Sequence, residues 1–276
     1  MSAVSSLAYP DLSGRAAVVT GSTSGIGAAL AEHLARAGCD VMLNGLGDPA
    51  AIEELRSRLE TEHGVRVLHH PANMLSPAEI ADLIASTHRA FGRLDVLVNN
   101  AGVQHVAKIE DFPAEQYDRI IDVNLNSVFH TVHHAAKIML EAGRGRVVNI
   151  ASAHGLVASP FKSAYCASKF GVVGFTKSVA LEFAEATAAS GADITCNAIC
   201  PGYVKTPLVE GQIGDQARSR GISEDAVVRD VILATHPNKR FVQYEDLAGM
   251  LLYLVSDAGR SVNGAALSVD GGWTAR

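Results

Sequence analysis

The chain has 276 residues, 48% hydrophobic and 19% charged, with 25 glycines and a formal net charge of −6. That composition suits a folded α/β chain rich in tight turns and excludes a disordered one, and without any Lys/Arg-rich run the negative balance excludes the electrostatic footprint of a nucleic-acid binder. No window approaches the roughly 18 apolar residues of a membrane span, and the opening MSAVSSLAYPDLSG carries neither the basic region nor the apolar run of a signal peptide, so a cytoplasmic protein with no membrane partner is expected.

Short apolar runs bounded by turns alternate with stretches of helical period, the signature of βαβ units that build a parallel sheet covered on both faces. In chain order, strands are predicted over 15–20, 40–43, 65–69, 94–98, 146–150, 193–198 and 265–269. Helices are predicted between them, over 25–37, 50–63, 77–91, 114–141, 163–185 and 245–256. The expected fold is therefore α/β, one Rossmann-type domain with a doubly wound parallel sheet of seven strands and helices on both faces. Residues 1–11 read as an N-terminal tail. The polar stretch 201–237 is too long for an ordinary connection and reads as a lid over a site. Cys39, Cys166, Cys196 and Cys200 lack the paired spacings of a zinc site, and His130, His133 and His134 have no carboxylate or open-site motif beside them; no metal is expected.

The first strand runs into Gly21-Ser22-Thr23-Ser24-Gly25-Ile26-Gly27, and a helix pattern opens at once. Glycines here allow a sharp turn and let main-chain amides at a helix N-terminus approach a pyrophosphate, so the loop is a candidate dinucleotide site. Tyr165 and Lys169 are four apart on a predicted helix and share one face. A free phenol has a pKa of about 10, and a neighbouring ammonium favours its ionised form, which makes the pair a candidate acid/base unit. Ser159 followed by Pro160 reads as N-cap and first helical residue. That start places Lys162, Tyr165 and Lys169 on one stripe. A second lysine beside the reacting oxygen is not needed for proton transfer, and its burial calls for an anion, so an anionic substrate is expected.

These features resemble the short-chain dehydrogenase/reductase family, whose motif positions are filled along the chain: Asn99-Asn100-Ala101-Gly102 after the fourth strand, Asn124, Ser152, Tyr165 with Lys169, and Pro201-Gly202 after the sixth strand. The resemblance implies a nicotinamide cofactor. It would be held by Gly21, Thr23, Ser24, Gly25, Ile26, Gly27, Leu46, Asn73, Met74, Asn100, Gly102, Tyr165, Lys169, Pro201, Val204 and Thr206. NAD is favoured, because Leu43 to Asp48 offers no Arg or Lys to a 2′-phosphate; Asn44 stands where an Asp usually meets the ribose. The resemblance also implies the catalytic set Asn124, Ser152, Tyr165 and Lys169, with Asn124 ordering water toward Lys169.

Within that family, the strings NNAGVQH, NIASAHGLVAS, KSAY, NAICPGYVKTPLVEGQI and SVDGGWTAR are similar to those of bacterial D-3-hydroxybutyrate dehydrogenases. This implies that Gln104, His154, Lys162 and Gln212 bind the substrate carboxylate, that Trp273 packs on substrate from a neighbouring subunit, and that the protein is a homotetramer built through its two long helices and C-terminal segment. Tyr203 replaces the usual Trp and is expected to enlarge the pocket; the longer EATAASGAD stretch is expected to be peripheral. Two other readings stay open: a reductase of 3-oxoacyl thioesters or other secondary alcohols, and a nucleotide-sensing protein without turnover.

Overall fold

The computed structural model describes residues 9–206, 209–211, 213, 214, 217 and 221–275. The apolar runs form seven strands: β1 (Ala16–Val19), β2 (Asp40–Asn44), β3 (Val67–His70), β4 (Val96–Asn99), β5 (Arg144–Ile150), β6 (Asp193–Pro201) and β7 (Ala266–Val269). Every neighbouring pair is parallel, in the order β3-β2-β1-β4-β5-β6-β7. Strand order reverses between β1 and β4, which opens a crevice at the carboxyl ends of the strands, the usual ligand position in open α/β sheets.

Local chemistry sets the helices that cover this sheet. In α1 (Gly25–Arg36) the apolar stripe Leu30, Ala31 and Leu34 faces the strands. Helices α2 (Pro49–His63) and α3 (Pro77–Phe91) each start with proline behind a capping side chain, Asp48 or Ser76, and stop at a left-handed glycine, Gly64 or Gly92. Alternate strand residues feed opposite cores. Ala17, Val19, Val96 and Val98 join Leu30, Leu34, Leu247 and Leu251 on one face, while Val18 and Leu97 join Ile80, Leu83, Met139 and Phe183 on the other.

The stretch expected as one helix over 114–141 is α4 (Ala114–Ile121) and α5 (Ser127–Ala142), joined by a π turn over Asp122–Asn126. The next helix, α6 (Ser163–Thr187), begins at Ser163 and not at Ser159-Pro160, because Phe161 takes a left-handed φ of 68° that no helix can continue. Lys162 is therefore the residue before the helix, not a member of its stripe. Within the stretch expected as a tail, Tyr9 bonds His33 Nδ1 at 2.7 Å and lies under Arg36, and Leu12 just after it is fully buried. The extension after Glu185 ends α6 and turns into β6 at the amino edge of the sheet, opposite the crevice.

Along 201–237, the described residues include α7 (Glu224–Val227) and a π turn (Val228–Ile232). They pack on a small cluster of their own, Ile213, Val227, Ile232 and Leu233. A single bridge between Val204 and Val242 ties the segment back before α8 (Tyr244–Val255). Among the described residues, no helix is long and apolar enough to cross a membrane.

A buried polar ladder locks the centre. Thr131 Oγ1 donates to Asn99 Oδ1 (2.7 Å), Asn99 Nδ2 to Asn149 Oδ1 (2.9 Å) and Asn149 Nδ2 to Thr176 Oγ1 (2.8 Å), joining α5, β4, β5 and α6. Asn99→Leu keeps the volume but strips Asn149 Oδ1 of its donor, so denaturant unfolding should show a loss of about 2–3 kcal/mol. A change below about 0.5 kcal/mol would mean that the ladder does not hold the sheet to its helices.

Candidate active site

The crevice opens into a cleft of about 440 Å³. At one end β1 leads into the glycine loop and the N-terminus of α1, where Ser24 makes no side-chain cap and no acidic residue occupies the first turn. The first-turn amides are thus left to a ligand, and their positive end suits an anion. Gly21, Thr23, Ser24, Gly25 and Ile26 line this end. Gly27 does not; it lies behind the loop, where a Cβ would stand 2.2 Å from the Gly21 carbonyl oxygen and 2.4 Å from Asn100 Nδ2. Its part is to let helix and loop touch, while Asn100 Nδ2 bonds the carbonyls of Thr20 and Gly21 at 3.0 Å each. An uncapped helix end under a glycine turn fits a dinucleotide pyrophosphate.

Leu46, Asn73 and Met74 line the outer side of the cleft, and Gly102, Pro201, Val204 and Thr206 its inner walls. Asn44 cannot stand in for the ribose-binding Asp. It is fully buried, accepts from Gly21 N (3.3 Å) and donates to the carbonyls of His70 (3.0 Å) and Ala72 (2.9 Å), so its side chain is consumed inside the loop.

Ser152 follows β5, and α6 presents Tyr165 and Lys169 to the same space. Burial pushes the Tyr165 phenol up to about 12, opposed by the Ser152 hydroxyl, and pulls the Lys169 ammonium down to about 8. Lys169 Nζ donates to the Ile150 carbonyl at 2.8 Å and lies 5.7 Å from the Tyr165 ring centre. Asn124 stands behind the cleft wall: its Oδ1 accepts from Val103 N (2.8 Å), and its Nδ2 donates to Val103 O (3.0 Å) and Ser168 Oγ (3.2 Å). These bonds let the Asn124 amide fix the wall of the cleft.

The remaining polar groups gather on the far side of Tyr165. Lys162 is 8% exposed, yet its Nζ reaches Tyr203 Oη at 2.9 Å and lies 3.4 Å from His154 Nε2. Among the described residues no carboxylate pairs with it. Burial first, and then the Lys162 charge, lower His154 to about 4, so its imidazole is neutral near pH 7. Gln104 Nε2 is buried without a partner on the same cleft. Trp273 enters the cleft of its own chain, which corrects the expectation that it serves a neighbouring subunit. Asp270 accepts from Gly272 N (3.0 Å) and Thr274 N (2.9 Å) and turns the C-terminal segment inward. There the indole meets His154 edge-on at 4.9 Å. Gln212 lies outside the described residues.

Two residues of this end went unassigned in the sequence. Tyr203 was visible only as a departure from a family pattern, and the fully buried His236, whose Nε2 accepts from Tyr203 N at 3.0 Å, has no local signal in ATHPNKR.

Residues 15–217 match the family model described as short chain dehydrogenase. A D-beta-hydroxybutyrate dehydrogenase of Rhizobium meliloti (strain 1021) is 55% identical over 95% of this chain and 99% of its own length. One from Cupriavidus necator (strain ATCC 17699) is 47% identical over 96% and 100%. Among solved structures, an actinorhodin polyketide ketoreductase variant with NADPH superposes with a TM-score of 0.88 at 34% identity, covering 98% of this chain and 100% of that one.

The His154 environment has a consequence for stability. The unfolded imidazole takes up its proton near pH 6.5 and the folded one only near 4. Stability is therefore lost as pH falls from about 6.5 toward 4. Between pH 7 and 5 the unfolding free energy of wild type should drop relative to His154→Gln by on the order of 1–2 kcal/mol. A gap that stays constant with pH contradicts a neutral His154.

Proposed function

The chain belongs to the short-chain dehydrogenase family, and from that premise we propose that it interconverts (R)-3-hydroxybutyrate and acetoacetate with NAD. It is an oxidoreductase acting on a secondary alcohol. One observation carries the choice of substrate: a buried ammonium, Lys162, shares the cleft with the Ser152/Tyr165 pair and has no carboxylate partner among the described residues. A neutral ketone gives that charge nothing to meet, whereas a short 3-hydroxy acid supplies a carboxylate one bond beyond the carbon next to the reacting centre. The two hydroxybutyrate dehydrogenases at 55% and 47% identity support the same reading.

The glycine loop, the α1 amides, Leu46, Asn73, Met74, Asn100 and Gly102 would hold the dinucleotide, with Tyr165, Lys169, Pro201, Val204 and Thr206 toward its nicotinamide end. When bound, it supplies the hydride acceptor. NAD is preferred because no Arg or Lys lies in the segment Leu43 to Asp48. Ser152 holds the substrate oxygen by hydrogen bonding. Tyr165 takes the hydroxyl proton in oxidation and returns one to the carbonyl oxygen in reduction. Lys169, still cationic below about pH 8, favours the ionised phenol in the first case. Lys162, Gln104, neutral His154 and Gln212 receive the carboxylate, so substrate is fixed at two points, and these together with the direction of hydride transfer present only one face of C3. We also propose a cytoplasmic location and a homotetramer; the exposed Phe129, Phe170 and Leu181 on α5 and α6 support self-association.

Two variants test this assignment. Tyr165→Phe should lower kcat by about 10³ or more with intact folding. Lys162→Ala should cut kcat/KM for (R)-3-hydroxybutyrate by about 10²-fold while changing turnover of 2-butanol less than about threefold. Equal losses on acid and alcohol would contradict the carboxylate site.

A further inference from the structure

Tyr203 begins the segment after β6, and everything around it fixes its phenol in one place. Its main-chain N–H donates to His236 Nε2 at 3.0 Å, and His236 Nδ1 donates to the Arg240 carbonyl at 2.9 Å, which sets the neutral tautomer. The preceding Gly202 leaves no room for adjustment: a Cβ there would stand 2.6 Å from the His236 ring. The Tyr203 ring stacks on Trp273, with centroids 5.4 Å apart and planes within 10°. Lys162 Nζ donates to its hydroxyl at 2.9 Å and lies 5.0 Å from its ring centre.

An ammonium can only donate, so the Tyr203 oxygen accepts and its own proton is left to point elsewhere. Among the described residues no acceptor takes that proton. The hydroxyl faces the same cleft as Lys162, Gln104 and His154. An oxygen polarised by a neighbouring ammonium is a stronger donor than a free phenol, and its natural acceptor is an anion.

We propose that Tyr203 is a specificity-determining residue of the carboxylate site: its hydroxyl holds the Lys162 ammonium in place and donates its own proton to the carboxylate of the substrate. This rests on the 3-hydroxy-acid reading above. The Lys162–Tyr203 pair then acts as one receptor, with a point charge and a directed donor on adjoining atoms. A tyrosine here does more than vacate the volume of a larger ring.

The test uses butyrate, which carries the carboxylate without a reacting hydroxyl, titrated against the NAD-saturated enzyme. Quenching of Trp273, the single tryptophan of the chain, provides the readout. Tyr203→Phe keeps the stacked ring and removes only the hydroxyl; Tyr203→Leu removes ring and hydroxyl together, adds no second tryptophan and offers no acceptor to an ammonium. Both should raise the butyrate Kd about tenfold. In steady-state assays of (R)-3-hydroxybutyrate, KM should rise by a similar factor while kcat falls less than about threefold. Thermal unfolding of both variants checks that the fold is kept.

If Lys162→Met weakens butyrate binding and neither Tyr203 variant does, the role of Tyr203 is overturned and the anion site stands. If none of the three weakens it, or wild type does not bind butyrate, the hydroxy-acid reading itself fails and takes this proposal with it.

Discussion

An ammonium taken out of water has to be met by something, and the arrangement around Lys162 follows from that requirement. Burying a lone charge in a medium of low polarity costs several kcal/mol unless hydrogen bonds and an opposite charge compensate. The chain supplies the hydrogen bonds, through Tyr203 Oη and the neighbouring His154. The opposite charge is left to the ligand. A site that is incomplete in this way discriminates strongly, since a substrate without the carboxylate leaves a buried cation unpaired.

The sheet makes that incompleteness possible. Reversal of strand order between β1 and β4 leaves a crevice that a seven-stranded parallel sheet cannot fill from its own connections. Dinucleotide end and reacting end are then two ends of one cleft. The polar ladder through Asn99 and Asn149 keeps β4 and β5 in register with α5 and α6, so Ser152 at the end of β5 and Tyr165 on α6 keep a fixed separation. The left-handed turn at Phe161 delays the start of α6 by a few residues and, as a result, Lys162 reaches the cleft from the loop before the helix while Tyr165 and Lys169 reach it from the helix itself.

Much of this was legible in the residues, for identifiable reasons. Strand and helix positions follow from apolar periodicity and from Pro/Gly punctuation, which are local signals. The glycine loop and the Tyr165/Lys169 pair are also local, and the cleft gathers them with the dispersed Gln104, Ser152, His154, Lys162 and Trp273. What failed depended on tertiary context. Ser159-Pro160 looks like a helix start, but the strained φ at Phe161 is set by the surrounding loops, with its carbonyl accepting from Ala107 N. The side chains of Asn124 and Asn44 are spent on partners distant in sequence, which no local pattern displays. His236 reaches the site only because the segment after Pro201 folds on its own small cluster, a packing event with no periodic signature.

Catalysis in this cleft requires a carboxylate to meet Lys162 while Tyr165 handles the proton. The most direct measurement is the initial rate of NADH formation with each enantiomer of 3-hydroxybutyrate and with 2-butanol at equal concentration. The (R) acid should turn over rapidly, with the (S) acid and the alcohol slower by at least about 10²-fold. Comparable rates for the two enantiomers, or an alcohol as good as the acid, would contradict that requirement.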